Sequence, residues 1–242
     1  MKMDKDDLKK EIIKEMGRIP EWKGSGDWLN VRNSQVFSQE NSSDLYEGMQ
    51  ASRGLSLLPD LAFDDNINRV LEMVNSPLLP QDKERHEEII SNVDMTKIDN
   101  VLELGFRSPK ILKIYKKLGK KVSGIDVVKV NCLIGQYLGY DCNVHDLRSD
   151  SGLTIKDNTL VISYHCFEHL PDPAKAIKKV KKSMGKNCYF QIEVPTESGG
   201  APNYRFAHCF SFSTGSLKKI LKDCGFKILT SRDDENQRYL CE

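Results

Sequence analysis

At 242 residues, 39% apolar and 29% charged, the chain is long enough for one large or two small domains around a proper core. Its formal charge of +1 supplies no long-range attraction to nucleic acid or to an anionic membrane, and no run of about 18 apolar residues is present to span a bilayer. The seven cysteines (132, 142, 166, 188, 209, 224 and 241) fall at irregular spacings with no CxxC pair; that usage points to reduced, mostly buried thiols in a cytoplasmic setting and away from a zinc site of paired cysteines.

The opening residues, MKMDKDDLKKEIIKEM, are charged throughout and lack the apolar stretch of a signal peptide. Over residues 3–16, Leu8, Ile12 and Met16 fall on one side of a helix rich in lysine and glutamate, which reads as a solvated terminal helix. Gly17 to Ser43 is loop-like in composition, but Trp22 and Trp28 are costly to leave in water, so this segment is expected to pack against something. Residues 44–62 carry no clear pattern. A helix follows over Asn66 to Val74, with Ile67, Val70, Leu71 and Val74 at helical spacing. Ser76-Pro77 and Leu79-Pro80 interrupt it. Another helix, Asp82 to Val93 with Ile89, Ile90 and Val93 in its apolar set, leads into the first strand.

The chain from Asn100 to Asp126 is the most informative stretch. Val101-Leu102-Glu103-Leu104 ends in Gly105, and the turn Phe106-Arg107-Ser108-Pro109 follows. Ile111, Leu112, Tyr115 and Leu118 then recur at the spacing of a buried helix face, and Gly119 stops that helix. A second strand, Val122 to Ile125, ends in Asp126. A strand–turn–helix–strand unit closing on an acid is the arrangement that binds a nucleoside cofactor at the edge of a parallel sheet. A carboxylate suits the acid's place, because it only accepts hydrogen bonds and a ribose diol offers two donors.

The elements go on alternating. Val130 to Leu138 reads as a helix with Val130, Leu133, Ile134, Tyr137 and Leu138 on its apolar face. Asp141 to His145 is a short strand ending at Asp146. Asn158 to Tyr164 is a fourth strand, and its run Leu160-Val161-Ile162 is that of a strand buried on both faces. Pro173 opens a helix with Ile177, Val180 and Met184 facing inward, and Gly185 ends it. Cys188 to Val194 is the fifth strand, closed by Pro195. Thr196 to Ser213 reads as a loop carrying Tyr204, Phe206, Phe210 and Phe212. Thr214 or Ser216 then caps a helix with the stripe Leu217, Ile220, Leu221 and Cys224. Phe226 to Thr230 and Arg238 to Cys241 form an antiparallel hairpin around Asp233 to Asn236.

Residues 100–231 resemble the class I S-adenosylmethionine-dependent methyltransferases, in particular their broad small-molecule group. The resemblance is carried by VLELG (101–105), GID (124–126), HDL (145–147), SYHCFEHLPDP (163–173), QIEVP (191–195) and HCFSFSTGSLKKILKDCGF (208–226), in that order and at that spacing. It implies a three-layer α/β Rossmann-like sandwich on a seven-stranded, mainly parallel sheet with an antiparallel C-terminal strand. It also implies two parts: residues 1–90 as a mostly helical appendage or lid over the cofactor cleft or an oligomer interface, and residues 91–242 as the methyltransferase-like domain. Glu103, Gly105 and Arg107 then lie at the methionine end of S-adenosylmethionine, and Asp126 with Val127 at the ribose. Asp146 with Leu147 lies at the adenine. Tyr164 and His165 face the transferred methyl, His165 orienting or deprotonating the acceptor.

The family usually reads acid-x-Gly-x-Gly-x-Gly in the first turn, and here Arg107 and Pro109 follow Gly105. Pro109 fixes its own backbone angle and removes a donor. In family members acting on phenolic quinone precursors, a stretch related to 165–169 holds a divalent metal through two acids and a histidine. Here His165 replaces the first acid, and no metal is assigned. His145 and His208 read as isolated histidines, and the lysines from Lys175 to Lys186 as a solvated helix face. The leading function is methyl transfer to an oxygen or nitrogen of a small molecule, such as a sugar or lipid-linked precursor. The competing one is a methyltransferase-fold protein that no longer catalyses and serves as a binding or assembly partner, its N-terminal segment being one route to a homo-oligomer. A nicotinamide-dependent dehydrogenase fares poorly, because GxGxxG is absent.

Overall fold

The structure, a computed structural model, describes residues 3–16, 63–196, 208 and 210–242. The readings of residues 17–62, including Trp22 and Trp28, and of Tyr204 and Phe206 lie outside them. In chain order the described elements are α1 (Lys5–Met16), α2 (Phe63–Asn75), α3 (Pro80–Asn92), β1 (Asn100–Leu104), α4 (Lys110–Lys117), β2 (Lys121–Asp126), α5 (Lys129–Tyr137), β3 (Asp141–Val144), β4 (Thr159–Tyr164), α6 (Pro173–Ser183), β5 (Tyr189–Pro195), α7 (Ser216–Asp223), β6 (Ile228–Asp233) and β7 (Asn236–Cys241).

The strands form one seven-stranded sheet in the order β3-β2-β1-β4-β5-β7-β6. The pairs β1–β2, β1–β4, β2–β3 and β4–β5 are parallel, and β5–β7 and β7–β6 are antiparallel. This is the expected mainly parallel sheet, with the hairpin closing one edge. Side chains alternate between the faces of a strand, and here the alternation separates two core layers. Leu102, Leu104, Val161 and Phe190 pack with Ile177, Val180, Leu217 and Leu221 of α6 and α7. Val101, Leu160 and Ile162 pack with Ile89, Leu112 and Tyr115 of α3 and α4. The sheet therefore sits between two helical layers.

The amino-terminal helices do not stand apart. Leu8 and Ile12 of α1 are 0% and 2% exposed, in one apolar cluster with Ile67, Val70 and Val74 of α2 and with Val130, Leu133 and Ile134 of α5. The expectation of a solvated terminal helix is thereby corrected: α5 has a second apolar face, which α1 and α2 cover. Leu118 was expected in the buried stripe of α4, but it lies just past the helix and is 51% exposed. Ile90 is likewise exposed, about 100° around α3 from the buried Ile89. Neither Thr214 nor Ser216 caps α7; the position belongs to Gly215, whose φ of +75° suits a residue without a side chain. No described helix is long and apolar enough to cross a membrane.

Candidate active site

Where β1 is flanked by β2 on one side and β4 on the other, the winding of the chain reverses, and the carboxyl ends of the strands at such a switch point are where open α/β sheets bind ligands. The turn after β1 is built without the later glycines. Gly105 has a φ of +68°, and a Cβ there would lie 2.5 Å from the Cys166 sulfur, so a glycine is required where the ends of β1 and β4 meet. Phe106 is buried, and its ring occupies the space over Gly124, where a Cβ would sit 2.7 Å from Cδ1. Arg107 takes a φ of +45°, and its amide donates to Asp126 Oδ2 at 3.0 Å. Pro109 occupies the N-cap position of α4 with a φ of −76°, which proline accepts without strain. The departure from the glycine pattern is thus absorbed by a buried aromatic anchor and one left-handed residue.

Glu103 and Asp126 alternate with Leu104 and Ile125, so both leave the sheet on the face away from the α6–α7 layer. Asp126 is buried; Oδ1 accepts the Val128 amide at 2.8 Å and Oδ2 the Arg107 amide. Burial raises its carboxyl above the ordinary value in spite of those donors and of Asn131. Burial pushes Glu103 up further, well above the carboxylate range. Glu103 Oε2 has no hydrogen-bond partner among the described residues. Asp146 is paired with Arg148, Nε at 2.9 Å from Oδ1 and Nη2 at 2.8 Å from Oδ2. Its own burial raises that carboxyl, but Arg148 outweighs this and holds it low. Leu147 is buried in the α6–α7 layer, and Val127 packs on the cluster of α1, α2 and α5. Tyr164 donates its hydroxyl to Gln191, with the Arg85 guanidinium 4.3 Å from its ring centroid.

His165 stands at the rim with a φ of +53° and a side chain 40% exposed. Nε2 is 3.2 Å from Glu193 Oε1 and Nδ1 is 3.6 Å from Glu168 Oε1. Burial alone would lower its pKa, but the two carboxylates outweigh it and raise it to about 9. Glu193 is correspondingly pulled to about 2, burial being overcome by His165 and Arg85. Arg85 of α3 donates Nε to Glu193 Oε2 at 3.0 Å and Nη2 to Oε1, while Arg238 of β7 reaches Oε2 at 3.1 Å. Sequence reasoning missed Arg85, Glu193 and Arg238 as site residues. A signal existed: an acid and a base inside runs that otherwise read as buried strands, QIEVP and RYLC. Nor is His208 isolated, as the sequence reading had it: its ring packs edge-on against His169, centroids 5.0 Å apart. Burial pushes the Cys166 thiol up, which makes it a poor nucleophile. Lys179 leaves the solvated lysine face to donate to the Ser149 carbonyl at 2.9 Å.

Comparison with known proteins bears on this site. A family profile described as a methyltransferase domain matches residues 60–231. The C-methyltransferase NovU of Streptomyces niveus is 23% identical over 149 residues, covering 58% of this chain but only 36% of that protein. Magnesium protoporphyrin IX methyltransferase (ChlM) from Synechocystis PCC 6803, solved with bound SAH, superposes with a TM-score of 0.55 at 13% identity, over 84% of this chain and 99% of that one. A SAM-dependent methyltransferase from Archaeoglobus fulgidus gives 0.53 at 16%, over 70% and 96%. At these identities the superpositions show a shared fold.

Proposed function

The chain belongs to the methyltransferase-domain family of class I, S-adenosylmethionine-dependent enzymes, and from that premise we propose that it binds S-adenosylmethionine over the ends of β1 and β2 and methylates an oxygen or nitrogen of a small molecule. The observation that carries this reading is the pair of buried acids, Glu103 and Asp126, on one face beside the left-handed turn at Gly105 and Arg107. The donor set suits the cofactor. The unpartnered Glu103 oxygen suits the ammonium of an amino-acid end. Asp126 already accepts the Arg107 and Val128 amides, with the Asn131 side chain and the Val127 amide as further donors, so a ribose diol would share its oxygens with these groups or displace one of them. Val127 would lie beside the ribose. Asp146 with Leu147 would meet the adenine, Asp146 sharing its oxygens with Arg148.

S-adenosylmethionine supplies, when bound, a methyl group already activated on a sulfonium, so positioning dominates and no base is obligatory. That agrees with His165. Its ring lies between the Glu168 and Glu193 carboxylates, which raise its pKa and favour the form that donates hydrogen bonds over the form that takes a proton. We therefore assign His165 to orienting the acceptor, the deprotonating role being left to the acceptor's own acidity. NovU is named a C-methyltransferase; a carbon acceptor needs a base to become nucleophilic, and the oxygen or nitrogen acceptor proposed here departs from it in that respect. Within a sugar or lipid-linked precursor, an amine fits that chemistry better than an alcohol hydroxyl, which is too weakly acidic to lose its proton unaided. The proposal keeps α1 and α2 as a cover bracing α5, the helix that follows Asp126, while α3, through which a division at residue 90 would pass, goes with the sheet it packs on.

Titration calorimetry with S-adenosylhomocysteine tests the reading, with Asp126→Ala as control and circular dichroism to verify its fold. Micromolar binding that the variant loses is the expected outcome. No heat and no thermal shift at millimolar ligand would refute it and leave the non-catalytic reading.

A further inference from the structure

We infer that Glu168, His169 and His208 form a binding site for a divalent cation of the zinc class, beside the His165 rim. One donor atom from each of the three lies within 4.8 Å of the others. Glu168 is 1% exposed, and its Oε2 has no hydrogen-bond partner among the described residues. A buried carboxylate oxygen without a donor is costly, and a cation removes that cost directly.

The chain brings the three together by two devices. Glu168 and His169 belong to the single helical turn Phe167–His169 after β4, anchored by the fully buried Phe167 ring. His208 arrives from beyond β5, and the Phe210 amide, donating to the Glu168 carbonyl at 3.0 Å, ties that incoming chain to the turn. The His169 and His208 rings meet edge to face, and His169 Nε2 is 3.9 Å from Glu168 Oε1. The set is not the contiguous run that begins at residue 165. His165 is drawn to Glu193 and stays outside, and the third donor comes from a different segment.

Two imidazoles and one carboxylate are a three-ligand zinc set that leaves a fourth position open. Donors around a tetrahedral ion with bonds of about 2.1 Å sit roughly 3.4 Å apart, so the observed spread closes through modest rotation of His169 and His208. The open position would take an oxygen, from water or from an acceptor. Only that last clause rests on the methyl-transfer reading; the ion site does not.

The test uses the full chain, stripped with chelator and titrated calorimetrically with zinc chloride, with bound metal counted by elemental analysis. One zinc per chain is expected. His208→Ala and His169→Ala should each weaken it by more than about tenfold, at least the loss seen when only a supporting residue of a metal site is removed. His145→Ala, a histidine outside the set, should bind as wild type. Glu168→Gln should also lose zinc, and His208→Ala, at a half-buried position, keeps the test if Glu168→Gln fails to fold. No stoichiometric zinc in wild type, or wild-type affinity in His208→Ala, overturns the site. S-adenosylhomocysteine titrated into the same samples reports separately on the methyl-transfer reading, so either can fail alone.

Discussion

Arg85→Met is the substitution whose effect follows most directly from the coordinates. Arg85 is 4% exposed. Its guanidinium spans Glu193 and Asp82, with Nη1 at 3.0 Å from Asp82 Oδ1, and stacks on Tyr164. Methionine fills most of the volume but removes every donor. Glu193 would keep Arg238 and His165, whereas Asp82, also buried, would lose its ion partner. Breaking a buried pair from one side costs about 3–5 kcal/mol. At about 2–4 °C per kcal/mol for a domain of this size, the melting temperature should fall by about 6–20 °C. Denaturant unfolding of wild type, Arg85→Met, Glu193→Gln and the double variant would give the coupling directly. It should exceed about 1 kcal/mol, because residues sharing one network are not additive. Arg85→Lys should fall between the two, since an ammonium cannot hold both carboxylates in the fork geometry. A loss under about 1 kcal/mol for Arg85→Met, or strict additivity, would refute the view that this pair fixes α3 on the sheet.

Three further outcomes are expected. Glu193 has a folded-state pKa of about 2 against 4.5 unperturbed, so its contribution to stability is full above 4.5 and lost as the pH falls towards 2; urea unfolding of wild type and Glu193→Gln should therefore differ at pH 7 and converge at low pH. Gly105→Ala meets both a left-handed backbone and the Cys166 side chain, and should cost about 2–5 kcal/mol, from roughly 1–2 for the backbone and 1–3 for overpacking. In a double-mutant cycle Cys166→Gly should recover the packing share only, seen as a favourable coupling. Leu8→Ala should cost about 2–5 kcal/mol in the docking of α1 on α5. Hydrogen exchange would show this as lost protection in α1, whereas a solvated helix would show no change.

The strand–helix alternation from Asn100 onward was legible because parallel strands buried on both faces read as unbroken apolar runs, and the intervening helices carry clean stripes. Leu160-Val161-Ile162 and Ile177-Val180 are examples. Asp126 was legible because it ends a strand in a unit of the right length. What escaped was whatever depends on a second element. The burial of Leu8 and Ile12 needs α5 as a partner, and an amphipathic terminal helix has the same pattern docked or free. His208 looked isolated because its neighbour His169 lies across β5 in the chain. Leu118 met the spacing rule but not the length of α4, which ends one residue earlier.

Arg85 shows most clearly why a search for apolar periodicity passes over α3. The buried positions of that helix are Asp82, Arg85 and Ile89, one apolar residue among three. A helix with so thin a stripe is held by ions. Arg238 pairs across the sheet with Glu193 in register and donates Nε to Glu88 of α3 at 2.6 Å. Gln191 donates to the Arg85 carbonyl at 3.2 Å. Such a network adds little net stability over an apolar interface of equal volume, since desolvation offsets much of the attraction. It does dictate one position, because a shift of α3 by a turn would leave several buried charges unpaired at once. The same network ends on His165, through Glu193. Arg85 also reaches it directly, Nη2 lying 3.3 Å from His165 Nε2. The rim at which the acceptor is proposed to bind is therefore shaped by a helix that precedes the first strand, and substitution of Arg85 should alter the titration of His165 both by direct contact and through Glu193.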